Sequence, residues 1–307
     1  MRAILRKELA DYFTSIRFII FFLLILFASA AGLFTAYQGI RGANLPEGFV
    51  FLGLFTTSGS AIPSLVNLVA LLVPLIGIAL GFDAVNSERT GGTLSRILSQ
   101  PLYRDSVING KFLAGIVTLT VMIATMLLLI SGYGLRMIGV PPTAEEIIRI
   151  FIYLFLTLIY GAFWLGLAML FSVVLRKVAS SLLTSIGVWL FFSVFILLVA
   201  PAIANALAPA ADGTQAELIR NSEVQRMIMR FSPNTLFQEA TTVMLLPMVR
   251  SLGVITTSQA AYMIPNPISL GQSLILIWPH LTSLVSLSAI CFGASYVLFM
   301  RQEIRAT

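Results

Sequence analysis

The connection at residues 81–104 lies between two long apolar stretches of the chain and is rich in polar side chains. Glu88 and Arg89 are adjacent, and an apolar series follows them at Leu94, Ile97 and Leu98. Charges beside an apolar ridge about two helical turns long suit a groove on a soluble partner. The chemistry favoured by this segment is therefore binding rather than bond making.

Covalent or metal chemistry is poorly supplied elsewhere. His280 is the single histidine and Cys291 the single cysteine, so the chain has no His/Cys cluster for zinc or haem. We expect His280 to be an interfacial polar residue without an obvious partner. Gly110-Lys111 precedes Phe112 and lacks the upstream glycine of a phosphate-binding loop. We therefore predict no catalytic residue, no metal site and no cofactor on this chain.

The local sequence predicts how the connection folds. The helix before it should run to about Thr90, where Gly91-Gly92 ends it, since glycine readily adopts the left-handed conformation of helix ends. A short helix near residues 91–101 should follow and end at Pro101. Asp105 should then lie at the positive end of the next helix. The result would be a helical knuckle with an apolar ridge and a polar rim.

Composition places this knuckle in a membrane protein. Of 307 residues, 58% are hydrophobic and only 10% are charged, against about 25% charged in soluble domains. Disorder is excluded, because disordered chains are poor in aromatic residues and this one has 22 Phe. Six stretches free of Asp, Glu, Lys and Arg are long enough to cross a bilayer: Phe18–Tyr37, Ala61–Phe82, Phe112–Tyr133, Ile150–Leu175, Ser181–Leu207 and Ser273–Met300.

The distribution of charge predicts the orientation. The side that holds both termini has twelve Lys and Arg against six acids, whereas the other side has seven of each. Because positive residues stay inside, both termini should be cytoplasmic, in a multi-pass protein of the plasma membrane. Nucleic acid is not an expected partner, because the basic residues are scattered over short segments.

The segment before the first stretch, residues 1–17, is amphipathic. Its apolar face consists of Leu5, Leu9, Tyr12, Phe13 and Ile16. We expect a helix in the plane of the cytoplasmic interface; a cap packed on the bundle is the alternative. The chain thus divides into this helix (1–17), spans one to five with the knuckle (18–207), an extracytoplasmic cap (208–272), and the sixth span with its tail (273–307).

A translocation path is only weakly marked. Aromatic residues usually gather at the membrane surface, so those at mid-depth are candidates for lining a path, together with a polar residue in the second span. The candidates are Asn67, Tyr160, Trp164 and Trp189. Packing between helices is the alternative for all of them.

The connection resembles the cytoplasmic loop of type-2 ATP-binding-cassette (ABC) exporter permeases, of the multidrug, lipid and nitrous-oxide-reductase-maturation type. In that family an acidic residue, Glu-Arg-x-x-Gly-Thr-Leu, Leu-x-x-Pro and a basic residue mark the coupling helix. The matching positions are Asp83, Glu88, Arg89, Gly92, Thr93, Leu94, Leu98, Pro101 and Arg104. Leu5–Leu9 is similar to the family's elbow helix, and Ser232-Pro233 to a turn of the same subgroup.

The resemblance implies an all-α membrane protein with six transmembrane helices, an in-plane elbow helix and a cytoplasmic coupling helix. It implies two permease chains, identical or homologous, and two separate ATPase subunits that bind ATP and Mg²⁺. Glu88 would contact the ATPase, the series Leu94, Ile97 and Leu98 would dock in its cleft, and Arg104 would be a rim charge.

The resemblance also implies that transport is outward. The uncharged spans favour an apolar or amphipathic substrate, and an extracytoplasmic protein is a further candidate partner for the cap. Two other functions stay open from the residues themselves. The chain would be a membrane scaffold or assembly factor without a path, or an ion-coupled carrier. The second is disfavoured, because carriers usually place ionisable residues inside the membrane.

Overall fold

The computed structural model describes residues 1–42, 49–58, 63–92, 103–210, 213–250, 252 and 267–301. These residues are almost all helical, and none of them forms a strand. Six helices are long and apolar enough to cross a membrane. The predicted all-α fold with six membrane-spanning helices is therefore confirmed.

The helices are named here by their order in the chain. The spans are span 1 (Ile16–Gly42), span 2 (Leu65–Gly81), span 3 (Arg104–Ile138), span 4 (Ala144–Val174), span 5 (Val178–Leu190, Phe191–Phe195 as a π-helical turn, and Ile196–Leu207) and span 6 (Leu270–Arg301). The remaining helices are the elbow helix (Arg2–Thr14), the knuckle helix (Asn86–Thr90), the polar helix (Gln215–Met229), the cap helix (Pro233–Leu245) and a short turn at Gly53–Thr56.

The elbow helix is separated from span 1 by a turn at Ser15. The backbone of Ser15 is extended, and its Oγ accepts a hydrogen bond of 3.1 Å from the N–H of Phe18 in the first turn of span 1. A serine before a helix satisfies one of the free N–H groups of the first turn. The elbow helix is therefore free to take a direction different from that of span 1.

Span 4 forms the centre of the bundle. Tyr153, Tyr160 and Trp164 are fully buried along it, and the ring of Tyr160 stacks on Phe237 of the cap helix at 4.4 Å between centroids. Aromatic residues of this size bury large apolar areas. Span 5 lies at the other extreme, because only 6% of its most apolar window is buried within the chain.

Spans 2 and 4 approach each other closely at two glycines of span 2. A Cβ atom on Gly77 would lie 3.0 Å from the carbonyl oxygen of Gly161, and one on Gly81 would lie 2.7 Å from that of Leu165. Small residues four apart allow such backbone contact between membrane helices. This close approach packs the C-terminal part of span 2 against span 4.

The cap segment packs on the bundle with one helix and leaves another outside. The cap helix begins with Ser232 as its N-cap and Pro233 in its first turn, and Ala240, Val243 and Met244 on it are buried. The polar helix has no buried residue along its described length. The apolar side chains in the second half of the cap helix therefore pack on the bundle.

Candidate functional site

The helix of span 2 is interrupted by a turn before Thr90. Its helix ends at Gly81, a turn covers residues 82–85, and the knuckle helix follows. The cause is Ser172 of span 4, whose buried Oγ accepts hydrogen bonds from the N–H groups of Val85 (2.9 Å) and Asn86 (3.2 Å). These bonds satisfy two donors at the start of the knuckle helix and fix its direction.

The knuckle helix ends where glycine was expected to end it. Gly91 follows Thr90 as the C-cap, and Gly92 has a φ of +66°. Only glycine adopts this conformation without strain. The knuckle helix therefore ends shortly before residues 93–102, which lie outside the described residues.

A buried ion cluster holds the knuckle helix. Lys111 of span 3 is only 4% exposed, and its Nζ donates to the carboxylates of Glu8 at 2.9 Å and Glu88 at 2.8 Å. Lys7 approaches the same two acids. A buried charge is tolerated only when it is paired and hydrogen-bonded. This group, Lys7, Glu8, Glu88 and Lys111, is called the elbow cluster below, and it joins the elbow helix, the knuckle helix and span 3.

Two members of the elbow cluster, Glu8 and Lys7, have pKa values shifted in favour of their charged forms. Burial alone would raise the pKa of the Glu8 carboxyl, but the charge and hydrogen bonds of Lys111 and Lys7 outweigh it and hold that pKa below its usual range. Burial alone would lower the pKa of Lys7. The carboxylates of Glu8, Asp11 and Glu88 outweigh this effect and raise that pKa above its usual range. Charged pairs with hydrogen bonds of this length are the strong ones.

Two further contacts join the elbow helix to span 2, and span 1 to the turn that follows span 2. The hydroxyl of Tyr12 donates a hydrogen bond of 2.9 Å to the carbonyl oxygen of Leu80. Arg17 forms an ion pair with Asp83, and its guanidinium lies over the ring of Phe82 at 5.0 Å. The elbow helix, the end of span 2 and the knuckle helix thus form one connected unit.

The residues predicted for coupling are only partly described. Asp83, Glu88, Arg89, Gly92 and Arg104 are described, and Asp83 and Glu88 belong to the contacts above. The other predicted positions, Thr93, Leu94, Ile97, Leu98 and Pro101, lie outside the described residues. Their roles stay predictions.

Sequence reasoning missed the partners of Glu88. In the sequence, Lys111 stands out only as part of Gly110-Lys111, and Glu8 only as part of the elbow resemblance. One signal was present: Glu8 lies four residues after Ile4 and four before Tyr12, so a lone acid interrupts one helical face. The structure buries Ile4 and Glu8, whereas Phe13 and Ile16 of the predicted apolar face stay exposed.

At the opposite end of the bundle, Arg149 of span 4 is fully buried. Its guanidinium donates to Glu145 (2.8 Å), to Ser273 Oγ (3.1 Å), and to the carbonyl oxygens of Met244 and Ile268 (2.9 Å each). The planar guanidinium has donors for several acceptors at once. Arg149 therefore joins span 4 to the cap helix and to the start of span 6.

His280 of span 6 has a partner that the sequence did not reveal. Its Nε2 lies 2.6 Å from a carboxylate oxygen of Glu239, which also accepts from Arg230 at 2.8 Å. Burial would raise the pKa of Glu239, but His280 and Arg230 hold it below its usual range. The cap helix brings Glu239 to His280 from 41 positions away, so a partner is present that was not obvious from the sequence. The interfacial position of His280 stays a prediction.

The four candidate path residues do not share one environment. Tyr160 and Trp164 are enclosed in the core, and Tyr160 donates to the carbonyl oxygen of Ala70 at 3.2 Å. Asn67 is exposed and Trp189 partly buried. Burial favours packing for the first two; path lining stays a prediction. No group of three or more His, Cys, Asp or Glu that could hold a metal occurs in the described part of the chain.

Comparison with known proteins identifies the family. The model of the ABC-2 family transporter protein matches residues 2–304. A protein of Pseudomonas aeruginosa named "Probable ABC transporter permease protein NosY" is 31% identical over 144 residues, which are 45% of this chain and 50% of the relative. A protein of the same name from Stutzerimonas stutzeri is 29% identical over 197 residues, 62% of this chain and 65% of the relative.

The chain thus spans about half to two thirds of the length of these relatives. The family match covers nearly all of it, including the elbow helix, the knuckle helix and all six spans. The chain is therefore a multi-pass membrane protein that belongs to the ABC-2 transporter family.

Proposed function

We propose that this chain is the permease subunit of an ABC exporter. It would work as a pair of permease chains, identical or homologous, with two separate ATPase subunits that bind ATP and Mg²⁺. Its termini and the elbow end, the end of the bundle that carries the elbow helix, would face the cytoplasm. Both similar proteins are named as permeases, and the excess of positive charge at this end supports the orientation.

One observation carries the proposal: the knuckle helix is bound to two other elements through a buried lysine. Glu88 and Glu8 share Lys111 at 2.8 and 2.9 Å. A displacement applied to residues 93–102 would reach Glu88 first. It would pass through Lys111 to span 3 and to the elbow helix, and through the bond to Ser172 it would also reach span 4.

The permease pair would use the surface of span 5. That span is the least buried within one chain, and its exposed apolar residues include Phe191, Phe195 and Leu198. A second copy would cover these apolar side chains.

The substrate would be apolar or amphipathic. The six stretches that cross the membrane are free of Asp, Glu, Lys and Arg, so they offer no fixed charge to a hydrophilic cargo. Cations and anions in solution would have to shed water in such a path at a large cost. A strictly hydrophilic cargo in a reconstituted transport assay would contradict this part of the proposal.

The test is copurification of the ATPase with Leu94→Asp or Leu98→Asp variants, followed by measurement of transport and of ATPase activity in liposomes. A charge in the docking series should abolish binding, because it would be buried against the ATPase cleft. Leu218→Asp is the matched control, since Leu218 is 52% exposed on the polar helix.

Unchanged ATPase binding by Leu94→Asp and Leu98→Asp would contradict the docking assignment. The native mass of the purified complex should correspond to two permeases and two ATPases. A complex that hydrolyses ATP and transports no substrate would instead indicate a scaffold. Transport driven by a proton or sodium gradient without ATP would indicate a carrier.

A further inference from the structure

A cavity of about 430 Å³ lies between the elbow helix and the adjoining ends of spans 1, 2 and 3. Its volume falls within the range of about 300–1,000 Å³ that is usual for small-molecule sites. Its floor is the elbow cluster, in which Lys111 and Glu8 are buried and already paired. Nearer the mouth, Lys7 is paired with Asp11 and Arg17 with Asp83. Ion pairs between exposed side chains contribute little to stability, so a ligand with both charges can replace them with contacts of its own.

The mouth of the cavity carries charges of both signs. Lys7, Asp11 and Arg17 are each more than half exposed in their side chains, and Asp83 is 20% exposed. Counted over the whole lining, four acids face three bases. The cavity therefore has no net attraction for an anion, while a ligand with separated positive and negative groups would find a partner for each.

The other wall is apolar and belongs to the start of span 1. Phe18 and Phe21 line the cavity, and Ile16 beside them is 75% exposed. A membrane-spanning helix that starts here places these side chains where lipid headgroups meet acyl chains. A molecule that fills the cavity would thus have a charged head and an apolar tail.

We propose that this cavity binds a phospholipid with a primary ammonium headgroup, that is, phosphatidylethanolamine. The ammonium would lie against Asp11 and Asp83, the phosphate against Arg17 and Lys7, and the acyl chains along Phe18 and Phe21. A primary ammonium donates charge-assisted hydrogen bonds to carboxylates, which a quaternary ammonium lacks. The bound lipid would contact both the elbow helix and span 1 and would hold them in a fixed relative position. This structural role is independent of the transported substrate.

The experiment is native mass spectrometry of the full chain in detergent, titrated separately with three lipids of identical acyl chains: phosphatidylethanolamine, phosphatidylcholine and phosphatidylglycerol. Phosphatidylethanolamine should bind most tightly. The variant Asp11→Asn/Arg17→Gln should bind it about tenfold more weakly, because one charge-assisted contact at each end of the headgroup is lost. Asp11→Asn alone, at an exposed position that leaves the fold intact, should show part of this loss.

Arg6→Gln is the matched control, since Arg6 is exposed on the same helix and does not line the cavity. Equal affinity for phosphatidylethanolamine and phosphatidylcholine would overturn the proposal, and so would variants that bind like the native chain. Tightest binding of phosphatidylglycerol would show that an anionic lipid is preferred. Glycerophosphoethanolamine, which has the headgroup without acyl chains, should bind far more weakly; equal binding would point to a soluble ligand and overturn the lipid assignment.

Discussion

In the described part of the chain, one basic side chain is buried at each end of the bundle, Lys111 at one and Arg149 at the other, and the two are satisfied in different ways. At the elbow end, Lys111 is paired with two carboxylates from two different helices. At the opposite end, Arg149 is held by one carboxylate, one hydroxyl and two backbone carbonyls. The first arrangement joins side chains that can exchange partners, since Lys7 reaches both acids. The second is fixed to the backbone.

The difference has a mechanical meaning for the proposed permease. A lysine with three rotatable donors can follow its acceptors when a helix shifts, whereas a planar guanidinium with several fixed acceptors cannot. We infer that the elbow end transmits displacement and that the end with Arg149 is the stationary one. The predictions below test this contrast.

The largest effect is expected for Arg149→Met. The substitution leaves the Met244 and Ile268 carbonyls and Glu145 without their donor, and breaking a buried charged contact of this kind typically costs about 3–5 kcal/mol. Thermal unfolding of the purified chain in detergent should show a large fall in midpoint. Arg136→Met, at an exposed position, is the control. An unfolding midpoint like that of the control would show that Arg149 does not stabilise the stationary end of the bundle.

A smaller loss of stability is expected for Lys111→Met, about 1.5–3 kcal/mol, which is the usual worth of hydrogen bonds to charged groups. Lys7 remains to pair with Glu8 and Glu88, so the fold should survive. Stimulation of the partner ATPase by substrate should nevertheless be lost in liposomes, and Lys111→Arg should restore part of it. If Lys111→Met kept full stimulation, the elbow cluster would not be the route of coupling.

The smallest effect is a pH dependence at the elbow end. The pKa of Glu8 is held below its ordinary value of 4.5 in the folded chain. Its contribution to stability is therefore present above the unfolded-state pKa and declines as pH falls through the folded-state pKa. Unfolding midpoints measured from pH 7 downwards should fall less steeply in Glu8→Gln than in the native chain. Parallel curves for the two proteins would show that Glu8 is not ionised in the folded state.

Several elements could be predicted from local sequence because local rules govern them. Gly91-Gly92 ends the knuckle helix, and Ser232-Pro233 starts the cap helix. Gly77 and Gly81 allow spans 2 and 4 to touch. In each case the deciding interaction lies within a few residues or depends on the size of one side chain.

The interruption between span 2 and the knuckle helix could not be predicted in this way. Nothing between Gly81 and Val85 requires a helix to stop, and Ser172, which accepts from the N–H of Val85, is 87 residues away from it. The partners of His280 and Arg149 are likewise remote in sequence. Only packing decides which of many polar groups meet.

The sequence by itself determined the class of the protein and the number of its spans. A backbone in the hydrocarbon of a bilayer must form its hydrogen bonds within the protein. Long, continuous, uncharged stretches therefore cross the membrane as helices. Only the tertiary structure decided which charges are buried and paired. Glu8 and Lys111 are 103 positions apart, and each is stable away from water only because the other, with Glu88, is folded against it.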